Sequence, residues 1–202
     1  MECIFKLRDQ LKIIWQESEK CSVKGTNENR FISAMLFVSL NHCDAIQLLI
    51  QKRNFASSYA LLRPLLETTY RSVWLNRCAS KEQINECIDK DKWKSTWDLV
   101  QEIEEYSGNA PILSKVWEEL RPLMHSYAHG GNQNAFRQLG DGNYITPNID
   151  DKEVVQLIQV VALMSFVVLA ELIDLSENTE SLVLEKMSES MQQWALKKPI
   201  RN

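Results

Sequence analysis

"VVQLIQVVALMSFVVLAELIDL", residues 154–175, decides the fold, because it is either a membrane span or the central helix of a packed core. A bilayer requires roughly 20 consecutive, predominantly apolar residues. Gln156, Gln159, Glu171 and Asp174 cut the uninterrupted apolar run well below that length. The segment therefore reads as a core helix, and no membrane is expected among the protein's partners. Asp150 and Glu153, immediately upstream, have the spacing of a capping box that opens it.

The rest of the chain supplies helices to pack around this one. Ile4, Leu7, Leu11, Ile14 and Trp15 recur at three- and four-residue intervals and put one apolar face on a helix over 3–20. Gly25, Thr26 and Asn27 end it, and a second helix over 30–53 is apolar nearly all round. A third covers 55–77. Ser80 and Gln83 form a capping box for a fourth, extending to about Tyr106. Asn109 and Pro111 suit the cap and first turn of a fifth, which carries "RPLMHSYAHGG" at 121–131, with Gly130 and Gly131 placed to end or bend it. Residues 131–150 are irregular, with room for one helical turn and a "GDGN" turn at 140–143. Val183, Leu184, Met187, Met191 and Trp194 stripe a last helix. No strand pattern is present, so the fold class is all-α, a single-domain bundle of about six to seven helices over 1–202.

Composition narrows the function classes. With a formal charge of −4, the chain is not one that coats nucleic acid through a general basic surface, and any phosphate-facing site must be compact. Five cysteines, an odd number without a C-x-x-C pair, suggest neither a disulfide framework nor a zinc ribbon. The opening "MECIFKLRDQ" lacks the apolar core of a signal peptide. These features predict reduced thiols and a cytoplasmic location. P-loop, dinucleotide-binding and G-x-S-x-G elements are all missing.

Two polar stripes carry the candidate chemistry. "LRPLLE" at 62–67 echoes "LRPLMH" at 120–125, and each proline removes one backbone donor, predicting a kink or a late helix start. Arg63, Glu67 and Arg71 lie at i, i+4 and i+8, as do Arg121, His125 and His129. Each trio forms a slowly drifting row on its helix. If the rows face each other, Glu67 can orient a neighbour while free guanidinium groups of Arg63, Arg71 and Arg121 offer forked donors to a phosphate. The bland alternative is a solvated ion-pair ladder. His125 and His129 could share a metal, with His42 completing the set, but the glutamate of an H-E-x-x-H helix is missing. The chemistry expected of these residues uses no metal and no cofactor: a histidine as acid or base beside arginine can cleave RNA through its own 2′-hydroxyl.

An arginine and a histidine on a late helix resemble the metal-independent HEPN ribonucleases, many of them toxins or antiviral effectors. Here three residues separate Arg121 from His125 and seven separate it from His129, spacings on either side of that family's own. The resemblance implies a homodimeric site, and Trp93 and Trp97, set among charges, suit a dimer surface. "YALLRPLLETTYRSVWL" at 59–75, followed by "LMHSYAHGGNQNAFRQ" at 123–138 and then an apolar helix, is more closely similar to a bacterial family of uncharacterised helical proteins. That likeness spans roughly 30–175 and draws attention to Arg63, Glu67, His129, Gly130, Gln133 and Arg137, with Gln133 and Arg137 joining the anion-binding set.

Two functions stay open. One is a toxin-like or defence protein acting on RNA or a nucleotide, with His125, His129 and Glu67 catalytic and an antitoxin-like protein or a second copy as partner. The other is a non-catalytic binding or regulatory module that uses the same Arg/Glu/His pocket for an anionic ligand or partner.

Overall fold

The computed structural model describes residues 2–23, 25–108, 110–177 and 182–196. Among these the secondary structure is helical apart from two isolated β-bridges, Val23–Ser176 and Leu139–Ile145. The helices are α1 (Glu2–Ser18), α2 (Asn27–Gln51), α3 (Phe55–Ala60), α4 (Leu62–Arg77), α5 (Lys81–Lys90), α6 (Thr96–Ser107), α7 (Leu113–Ala128), α8 (Asn132–Phe136), α9 (Asp151–Leu175) and α10 (Leu182–Trp194).

This is more than six or seven helices, for local reasons. The third expected helix divides at Leu61, and Pro64 falls in the first turn of α4, where its missing N–H is harmless. Pro122 instead lies inside α7, which continues through it. The fourth expected helix ends at a left-handed Asp91, and a second cap, Ser95 accepting from the Asp98 N–H, starts α6. The spacing Ser95-x-x-Asp98 was the signal for that second start. The Ser80–Gln83 capping box forms with both of its reciprocal bonds. Asn109 lies outside the described residues, and α7 starts later than the sequence suggests, with the Glu104 carboxylate of α6 accepting from the Ser114 N–H.

The quoted segment becomes α9, whose buried face runs from Val154 to Leu175. It packs along α1 and α2, and α2 packs in turn along α4. By length and mean hydropathy α2 and α9 could each cross a bilayer; here about half of each apolar stretch is covered by the other helices. The polar residues of α9 serve as joints. Glu171 is buried and accepts from Arg77 Nε (2.9 Å) and Asn76 Nδ2 (2.6 Å) of α4, while Asp174 takes Arg77 Nη1 at 3.2 Å. Burial raises the Glu171 carboxyl above its usual range, opposed by Asn76 and Arg77. On the opposite side, buried Gln10 of α1 donates to the Ala162 carbonyl and to Ser165 Oγ. Asp150 caps α9 through the Lys152 N–H, but the expected box with Glu153 does not form, because the Glu153 carboxylate is drawn to Arg137.

Candidate functional site

The end of α7 explains the histidine–glycine–glycine element. His129 is the C-cap, Gly130 takes φ +65° and the Gly131 N–H returns to the Ser126 carbonyl at 2.8 Å, which is a Schellman closure. A Cβ on Gly131 would come within 2.6 Å of Ser126 Oγ, so the chain doubles back closely against the helix it leaves. The closure fixes His129 at the tip of α7.

At that tip the two polar rows meet, in part. Arg63 Nε donates to Glu67 Oε1 at 2.8 Å, and Arg63 Nη1 lies 3.4 Å from His129 Nε2. A guanidinium has no acceptor, so as a hydrogen bond this contact uses the lone pair of a neutral imidazole. The His125 and His129 rings sit 4.6 Å apart with planes tilted by 54°. Both imidazoles are exposed. Beside them a hollow of about 610 Å³ is lined by Arg63, Trp117, Glu118, Arg121, Met124 and His125, together with Pro122.

Other expected members lie elsewhere. Arg71 is two turns further along α4 and rotated by about 80° from Arg63, and its guanidinium stacks 4.8 Å from the centre of the Trp93 ring. Trp93 is thereby committed within the chain, its Nε1 donating to Asp91 at 2.7 Å, whereas Trp97 is exposed. Arg137 follows α8 and pairs with Glu153, lining a different hollow. The Gln133 side chain lies outside the described residues. His42, half-buried on α2, does not line the histidine hollow. Among the described residues no three His, Cys, Asp or Glu side chains are grouped to hold a metal ion.

Glu118 is the charged lining residue that the sequence reading missed. It precedes Arg121 by three positions and His125 by seven, so the polar row of α7 starts a turn earlier than the histidines suggest. The hollow thus combines two arginines, one carboxylate and one imidazole, with Glu67 and His129 immediately behind Arg63. Such a set can grip a single phosphate or carboxylate and exchange a proton with it.

Neither the curated proteins nor the solved structures include a match to this chain. Residues 36–194, which contain both polar rows and α9, match the family described as a family of unknown function (DUF6988), and the chain belongs to that family.

Proposed function

We propose that the hollow at the end of α7 acts on a phosphodiester of RNA or on a nucleotide, without a metal, in a toxin-like or defence role in the cytoplasm. The supporting observation is the contact chain Glu67–Arg63–His129–His125, which ends in two exposed imidazoles beside Arg121. Glu67 orients Arg63, and Arg63 and Arg121 take the phosphate charge. His125, which lines the hollow directly, accepts the 2′-hydroxyl proton as that oxygen attacks phosphorus. Water, or His125 once it carries that proton, protonates the departing 5′-oxygen, leaving a cyclic phosphate and a free hydroxyl, while His129 accepts from Arg63 and steadies it. A homodimer or an antitoxin-like partner belongs to this reading.

The second reading, a non-catalytic anion-binding module, draws on the same residues. Glu67 neutralises Arg63 and Glu118 lines the hollow, so the site carries little net positive charge. Expression of wild type beside His125→Ala and His129→Ala separates the two. The nuclease reading expects growth arrest and cleaved RNA with wild type and relief with either variant. Intact RNA at full expression of a folded wild type removes that reading and leaves anion binding, measured with a nucleoside monophosphate, to be tested alone.

A further inference from the structure

A second hollow, of about 550 Å³, opens on a different face of α7. Val116, Leu120 and Leu123 of α7 form one wall and Leu157, Val160 and Leu163 of α9 the other, with Tyr59 of α3 and the Arg137–Glu153 pair also in the lining. Its size is that of a site for a small organic molecule. An apolar cleft alone would say little, but Tyr59 in its lining is unusual. Tyr59 is 3% exposed and stacks on Tyr127, also 3% exposed, with ring centres 5.0 Å apart. Neither hydroxyl has a hydrogen-bond partner among the described residues. Phenylalanine would fill the same space without burying an unsatisfied hydroxyl, so such a group in a cavity lining, backed by a second one, calls for an explanation. Burial keeps both phenols protonated, and both feel the positive charge of Arg137. Tyr59, which lines the hollow, is a donor without an acceptor.

The charges limit what that acceptor belongs to. Arg137 is already paired with Glu153, and Glu119 adds another negative charge to the lining, which among the described residues contains no further cation. An anion would meet a net negative charge among these residues. We propose that this hollow binds a small uncharged amphiphile, its aliphatic or aromatic body between the leucines of α7 and α9 and a carbonyl oxygen accepting from the Tyr59 hydroxyl. The site is separate from the histidine hollow and does not depend on that reading.

Nile red, an uncharged dye with a carbonyl, serves as the probe on the full chain, with 2-decanone and decanoate as competitors. Wild type should bind the dye saturably and release it to 2-decanone, with decanoate at least about tenfold weaker, since burying its charge beside Glu119 and Glu153 is costly. Tyr59→Phe should weaken 2-decanone about three- to tenfold, the worth of one hydrogen bond, while the urea midpoint stays level or rises. Leu120→Trp, which fills the cleft, should abolish dye binding. Lack of saturable binding to wild type overturns the proposal, as does decanoate matching 2-decanone, unchanged 2-decanone affinity in Tyr59→Phe, or a fall in that variant's urea midpoint, which would reveal a partner for the hydroxyl in the unliganded fold.

Discussion

Replacing Arg77 by methionine tests how α4 and α9 are held together. Arg77→Met keeps most of the side chain's apolar bulk but leaves the Glu171 carboxylate, whose side chain is 9% exposed, with Asn76 as its remaining partner and Asp174 as a like charge nearby. Breaking a buried pair by removing one partner costs about 3–5 kcal/mol. Arg77 is 29% exposed, so the lower end, about 3 kcal/mol at pH 7.5, is expected. The loss depends on pH in a definite direction. Burial already raises Glu171 above its ordinary value, so its contribution to stability is present below the unfolded carboxyl range and lost as pH rises through the folded value. Without Arg77 the folded value moves higher, and each pH unit over which the fold keeps the proton while the unfolded chain releases it takes about 1.4 kcal/mol. Urea unfolding followed by circular dichroism should show a deficit that shrinks to about 1 kcal/mol at pH 4. Adding Glu171→Gln to the variant should recover most of the loss at pH 7.5. A deficit equal at both pH values, or a double variant no better than Arg77→Met, would refute the account.

Two further outcomes follow from local geometry. Cys43 and Cys87 are buried, whereas Cys3, Cys21 and Cys78 are partly exposed; a thiol-disulfide reagent at pH 8 should label the latter three in the native protein and all five after unfolding, and native labelling of Cys43 mapped by mass spectrometry would contradict this packing. Gly130→Ala meets no atom within 4 Å of the new Cβ but must adopt φ +65°, so it should cost about 1–2 kcal/mol, with Gly130→Asn milder; an alanine variant as stable as wild type would mean that the turn after His129 is not left-handed.

The fold was legible where periodicity and caps agree. The stripes of α1 and α10, the Ser80–Gln83 box and the apolar length of α9 all follow from local pattern. The break at Leu61 was hidden because the apolar pattern continues across it, and only Pro64 marks the restart; the one at 91–95 lies in a charged stretch without periodicity, where only the Ser95 cap marks the restart. At the site, Arg63, Glu67, Arg121, His125 and His129 could be grouped because each pair needs only helical spacing and one helix contact. Arg71 and Arg137 could not be placed, since their partners, Trp93 and Glu153, are reached through loops whose course no spacing rule gives. The buried Tyr59–Tyr127 stack was invisible for the same reason: an unsatisfied hydroxyl is a property of packing, and in the sequence a tyrosine on an apolar helix face looks like any other core residue.

The break at Leu61 separates Tyr59 from Arg63 by four positions, one serving each hollow. A residue inserted there would twist one segment about 100° against the other, so this short hinge sets the registry of both cavities at once. Length changes between α3 and α4 should be far less tolerated than in the loop around Gly142, where the backbone turns at the surface and neither hollow is touched.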